Sequence, residues 1–139
     1  MRTAFALIEA DPAAGDRLVA VRGEIDVGST ATLRDWLSRA SDGGRLPVTV
    51  DLTGVEFLAI SGLYVLCDEQ GRMAAHRARL TIVCRDPRVR QLFSVCRLDD
   101  ALAIVGSRGE VDGGPWSDED DARAARLAAW LQRYSSASA

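Results

Sequence analysis

Residues 48–73 read VTVDLTGVEFLAISGLYVLCDEQGRM, and the fold turns on how this stretch divides. Val48, Val50 and Leu52 alternate with Thr49, Asp51 and Thr53, which is the period of a strand with one apolar and one polar face. Gly54 breaks the alternation, and the apolar run at 55–60 reads as a crossing loop leading to Ser61-Gly62. From there Leu63, Leu66, Cys67 and Gln70 recur at helical spacing, and Met73 and Ala74 extend the stripe. The prediction is a strand, a loop and a helix whose first turn is Ser-Gly-Leu, with the Ser61 hydroxyl as its cap. A helix start presents unpaired N–H groups and a partial positive charge, a natural place for a phosphate. The junction is therefore the expected functional centre.

Upstream, residues 3–9 and 17–22 read as two strands joined by a turn at 11–16, an opening hairpin. Ser29 or Thr30 is the expected cap of a first helix carrying Leu33, Trp36, Leu37 and Ala40, which stops at Asp42-Gly43-Gly44. Downstream, LTIVC at 80–84 reads as a central strand. Asp86-Pro87 starts another helix, with Asp86 as cap and Val89, Leu92, Phe93 and Cys96 as its buried stripe. A short strand is expected within 98–105. Arg72, Arg77 and Arg79 are expected in solvent. The Gly-rich stretch at 106–116 reads as a linker or mobile loop, and 117–135 as an amphipathic helix with Leu127, Trp130, Leu131 and Tyr134 on one face. The order predicts one α/β domain.

The 139 residues suffice for one core, and the apolar share of 47% is that of a globular chain. All 17 basic residues are Arg, the net charge is −3, and no basic block appears, which argues against a nucleic-acid partner. The apolar run at 57–67 is too short and too interrupted for membrane insertion. The opening MRTAFALIEAD meets Glu9 before a signal-peptide core forms, so a cytoplasmic protein is expected. Cys67, Cys84 and Cys96 lack ligand spacing and have only His76 for company, so no metal, no cofactor and three free thiols are expected. Ser61 and His76 would stand about 22 Å apart on one helix at 1.5 Å per residue, and no G-x-S-x-G surrounds the serine. No catalytic residue is assigned, and an enzyme is not expected.

GEID at 23–26, VTVDLTGVEFL at 48–58, SGL at 61–63 and DPRVRQLFSVCRLDDAL at 86–102 together resemble the STAS domain of bacterial anti-sigma factor antagonists. The resemblance covers about Thr3 to Val105. It implies a single STAS-like α/β domain at 1–105, then the linker at 106–116 and the helix at 117–135. Its sheet would be mixed and four- to five-stranded, an antiparallel hairpin followed by parallel pairs, packed against helices. The resemblance also implies a protein that works by binding an anti-sigma factor, often a serine kinase of the GHKL type, and so releases a sigma factor. In that family the kinase phosphorylates a serine at the start of the second helix, within Asp-Ser-Ser/Thr-Gly, and the phosphate weakens docking. A phosphate adds roughly −1.5 to −2 charge.

This chain departs from the pattern, reading Ala59-Ile60-Ser61-Gly62. Ile60 occupies the acceptor position and cannot be phosphorylated, and Ser61 offers the one neighbouring hydroxyl. The implied partner contacts are Asp26, Val27, Ser29, Thr30, Ala59, Ile60, Ser61, Gly62, Leu63, Tyr64 and Asp86. The rival reading is a STAS scaffold or lipid-transport accessory subunit, forming a homodimer through the Leu127/Trp130/Leu131 stripe. A hydrolase built on Ser61 would need a base within hydrogen-bond reach.

Overall fold

In the computed structural model, Gly54 does not interrupt the strand. Val48–Leu58 is one continuous strand, β3. Gly54 serves close packing there: a Cβ would stand 3.1 Å from Arg22 Cγ and 3.3 Å from the Val21 carbonyl oxygen. The preceding strand lengthens to match. Strand β2 runs Asp16–Ile25, and it pairs with β3 in parallel through Gly23↔Val55 and Ile25↔Leu58, with irregularities at Ala20/Arg22 and Gly23/Glu24. A bulge bends and twists a strand without ending it, which is why the loop expected at 55–60 is sheet as far as Leu58.

The structure describes residues 5–11 and 16–138; Thr3 and Ala4 of the first expected strand, and residues 12–15 of the expected turn, lie outside this range. Strand β1 (Phe5–Asp11) pairs with β2 antiparallel. Strands β4 (Leu80–Val83) and β5 (Ala103–Val105) continue from β3 in parallel. The sheet has five strands in the order β1-β2-β3-β4-β5. Its parallel pairs require helical crossovers, supplied by α1 (Thr30–Ala40), α2 (Ile60–Ala74) and α3 (Pro87–Val95). Helix α4 (Asp118–Ser138) follows. Helix α1 packs on α2, and α2 packs on α4.

Val19, Val50 and Ile82, from three adjacent strands, are fully buried, as are Leu63 and Leu66 of α2. Each such side chain contributes about 1.5–3 kcal/mol by leaving water. The polar face expected on β3 is buried as well: Thr49 and Asp51 are 6% and 5% exposed. Burial alone would raise the Asp51 carboxyl. The Thr53 amide and the Arg108 guanidinium, 2.9 and 2.6 Å away, outweigh it and hold the carboxyl below its usual range. Gln70, which looked like part of an apolar stripe, is a buried bridge: it donates to the Ala78 carbonyl at 3.1 Å and accepts from the Leu80 N–H at 2.8 Å.

Helices α1, α2 and α3 close alike. Asp42, Arg77 and Arg97 adopt φ of 51°, 53° and 61°. The next N–H of each reaches back to the carbonyl of Ser38, Met73 or Phe93, at 2.9, 3.0 and 2.8 Å. This is the six-to-one closure of a helix end in the left-handed region.

Arg79 is not in solvent, and 106–116 is not a free tether. Arg79 donates to the carbonyls of Asp112 and Pro115 at 2.8 and 3.0 Å and grips Asp120 with two bonds. A 3-10 turn at Arg108–Glu110 carries the arginine that reaches Asp51. The apolar stripe of α4 is engaged within its own chain. Leu127 is 1% exposed, Trp130 Nε1 donates to the Cys96 carbonyl at 2.9 Å, and Tyr134 stacks on Tyr64 with ring centres 4.6 Å apart. A homodimer through that stripe would have to break these contacts first.

Candidate functional site

The junction between β3 and α2 is fixed by its neighbour strand. The Ala59 N–H donates to the Ile25 carbonyl at 2.8 Å, and the Ala59 carbonyl accepts the first helical bond, from Leu63, at 3.0 Å. Ala59 is thus the residue that caps α2, in extended conformation and with no side-chain bond. Ser61 does not cap the helix. Because β3 runs straight to Leu58, the helix begins one residue earlier than expected and Ser61 falls inside its first turn. Its Oγ is buried and has no hydrogen-bond partner among the described residues.

Gly62 and Leu63 face inward. Leu63 is fully buried. A Cβ on Gly62 would lie 2.6 Å from Ile25 Cγ2 and 2.9 Å from Leu58 Cδ1. Ile25 is β-branched and fully buried, so it has little room to yield. Gly62→Ala is expected to cost about 1–3 kcal/mol by overpacking, read as a lower midpoint in urea denaturation. A change within about 0.5 kcal/mol, the range of ordinary surface substitutions, would show that α2 lifts off the sheet without cost.

Asp26 and Ser29 use each other. Asp26 Oδ1 accepts from the Ser29 N–H at 3.1 Å and from its Oγ–H at 2.9 Å, and Ser29 Oγ accepts the Asp26 N–H at 3.1 Å. This capping box closes a 3-10 turn at Val27–Ser29, and Ser29 then stands at the N-cap position of α1, one of the two expected, without a side-chain bond to that helix. Thr30 Oγ1 donates to the Val27 carbonyl at 3.0 Å. Asp86 caps α3 as expected, accepting from the Arg88 N–H at 2.9 Å. The Arg88 guanidinium beside it holds its carboxyl below the usual range. Tyr64 is half-buried beneath Trp130 and Tyr134 of α4.

Two of the expected contact residues present apolar surface instead of chemistry. β2 and β3 end side by side at Ile25↔Leu58, so Val27 and Ile60 leave the sheet at the same level. Val27 is 75% exposed, Ile60 46%, and Phe57, one residue before that pair, 53%. Exposed apolar side chains brought to one end of a sheet are the kind of surface on which a partner can dock. Phe57 and Val95, the latter 70% exposed, lie within stretches that carry the resemblance, but nothing in those stretches singled either residue out as surface.

A groove of about 570 Å³ lies between α1 and α2, lined by Thr30, Arg34, Ser38, Ser61, Val65 and Arg72 among others. Its wall is an ion network. Arg34 bonds Asp68 and lies 3.4 Å from Glu69, and Arg72 reaches the same two carboxylates at 3.2 and 3.5 Å. Burial pushes the Glu69 carboxyl up, against the pull of Arg72 and Arg34. The Arg34 partners lie on another helix, so no spacing within the sequence announces them. Burial also pushes the Cys84 thiol up to about 11, and Cys67 higher still, leaving Cys96 as the half-buried one.

A profile of the STAS domain matches residues 8–111. An anti-sigma-F factor antagonist, RsfA of Mycobacterium tuberculosis, is 27% identical over 89 residues, 63% of this chain and 70% of that protein. An anti-sigma factor antagonist from Mycobacterium paratuberculosis superposes with a TM-score of 0.70 at 23% identity, over 78% of this chain and 90% of that one. SpoIIAA of Bacillus, in its phosphorylated form, gives 0.59 at 17% identity, over 76% and 95%. At these identities the two structures establish the fold. The profile ends before α4, so the helix lies outside the matched segment.

Proposed function

Because this chain belongs to the STAS domain family, we propose that it is an anti-sigma factor antagonist: it binds an anti-sigma factor and thereby releases a sigma factor. The observation that carries this reading is the apolar rim of Val27, Phe57 and Ile60 at the β3–α2 junction, in a chain similar to RsfA. Charged residues are depleted at the centre of protein interfaces, and Ala59 and Ile60 put apolar groups there. The protein acts by binding, in the cytoplasm, without catalysis. Among the described residues no helix is long and apolar enough to cross a membrane, and no cluster is arranged to hold a metal ion.

The reading includes the loss of a switch. Ile60 stands exposed at the first position of α2, where the family's acceptor serine would be, and it has no hydroxyl. The Ser61 hydroxyl is buried, so a kinase would have to open the first turn to reach it. Docking is therefore constitutive at this junction, whether or not the anti-sigma factor is a GHKL-type serine kinase.

The test is a calorimetric titration of the chain with each purified anti-sigma factor from its own genome, without and with ATP. One should bind in a one-to-one complex, with the same affinity after incubation with ATP and no phosphate at Ser61 by mass spectrometry. Failure of every anti-sigma factor to bind would refute the antagonist reading. Phosphate on Ser61 with loss of binding would refute the constitutive part alone.

A further inference from the structure

The two helices that flank Ile60 leave a second, smaller hollow. It measures about 280 Å³ and is lined by Ile60, Cys96, Trp130, Arg133 and Tyr134. Three of these residues belong to α4, beyond the segment the STAS profile matches. We propose that the C-terminal half of α4 is part of the docking surface, and that this hollow selects an anti-sigma factor presenting an apolar side chain beside a carboxylate. The proposal rests on the antagonist reading above and adds the surface and the chemistry that would choose one partner among several.

Charge complementarity names the occupant. The floor and walls are Ile60 and two aromatic rings, and Arg133 is the sole charged side chain among the lining residues, with no carboxylate present. The other basic groups of α4 are already neutralised: Arg123 pairs with Glu119 and Asp120, and Arg126 lies 3.8 Å from Asp100. The acids of α4 are confined to its first turn, so none faces Arg133 from along the helix. An apolar group entering this hollow would bring its neighbouring carboxylate to an exposed guanidinium, which favours that partner and disfavours a basic one.

The walls are held ready. Trp130 is tied to the Cys96 carbonyl through its indole N–H at 2.9 Å. The rings of Trp130 and Tyr134 stack with centres 5.2 Å apart, and Tyr64 lies under Tyr134 at 4.6 Å. Little side-chain freedom is left to lose on binding, which is how a preorganised surface gains affinity. Trp, Tyr and Arg are also the residue types that dominate interface hot spots. The hollow is continuous with the exposed rim through Ile60, which belongs to both.

Cys96 gives a direct probe, because it lines the hollow while Cys67 and Cys84 are buried. The experiment uses the full chain and the purified anti-sigma factor that binds in the titration above. Cys96 alkylation by N-ethylmaleimide is followed by mass spectrometry, free and in complex. Binding is then compared for wild type, Arg133→Lys and Arg133→Glu, with melting curves confirming that the variants fold. Complex formation should slow Cys96 alkylation at least about 10-fold. Arg133→Glu should weaken binding on the order of 10-fold or more and Arg133→Lys only slightly, as expected of a contact that reads charge. Unchanged Cys96 alkylation in the complex overturns the proposal while leaving the antagonist reading intact. Protection with full binding by Arg133→Glu removes the selection for a carboxylate. If no anti-sigma factor binds wild type, both readings fall.

Discussion

Arg79→Met should lower the stability of the folded chain by about 3 kcal/mol, the low end of what breaking one side of a buried ion pair costs. Arg79 and Asp120 are 10% and 3% exposed, and the guanidinium meets both carboxylate oxygens, at 2.8 and 2.6 Å. Methionine would fill the volume and leave Asp120 buried without the two bonds from Arg79. The carboxylate keeps the Ser117 N–H at 2.8 Å, the Ser117 hydroxyl at 3.0 Å and Arg123 at 3.1 Å, which is why the low end applies. The carbonyls of Asp112 and Pro115 lose their donor too. Urea denaturation monitored by tryptophan fluorescence measures the loss; a cost below about 1 kcal/mol would class the pair with surface ion pairs.

The same pair sets a pH dependence. The Arg79 guanidinium, helped by Ser117 and opposed by burial, holds the Asp120 carboxyl well below the usual carboxylate range. A carboxyl depressed in the folded state binds its proton more readily when unfolded. Its contribution is therefore complete above the unfolded value, about 3.9, and is lost as pH falls below it. The gap between wild type and Arg79→Met should narrow in acid below about pH 4.

Ile60→Asp should separate folding from function. Ile60 is 46% exposed at the first position of α2, so little packing is lost, and an acid at a helix start gains about 0.3–1 kcal/mol from the dipole. The melting temperature should hold or rise slightly. Binding to the anti-sigma factor should fall on the order of 100-fold, since a charge would be desolvated without a partner at the interface. Calorimetric titration reads the loss, and unchanged affinity would take Ile60 out of the interface. The Ala59→Asp, Ile60→Ser double variant rebuilds the family's acceptor pattern. If the anti-sigma factor is a serine kinase, it should phosphorylate this variant at position 60, and the modified form should lose affinity as Ile60→Asp does.

What the sequence made legible was local. The α1 stripe of Leu33, Leu37 and Ala40 is buried where helical spacing put it, and Asp86-Pro87 opens α3 as its chemistry requires. Three errors share one origin, an interaction with a distant segment. Gly54 read as a stop because a lone glycine usually means a bend, but the side chain it omits leaves room for Arg22 on the next strand. Ser61 read as a cap because serine caps helices, but Ile25 takes the Ala59 N–H and starts the helix sooner. Arg79 read as solvated because it ends a helix, and its partners begin 33 residues later. The exposed rim was half legible. Ile60 stood out through its departure from a family pattern, whereas Phe57 on β3, like Val95 on α3 outside the rim, looks like a core residue until the fold shows which way it faces.

The strand order carries a consequence for biosynthesis. Every strand pairs with its immediate predecessor in the sequence, so each new strand finds its place already built as the chain leaves the ribosome from its N-terminus. The ties of α4 run the other way: Asp120 reaches back 41 residues to Arg79, and Trp130 reaches back 34 to Cys96. They can close only when the sheet and α3 are in place. A chain stalled before Leu127 would leave that core position vacant and Tyr64 uncovered.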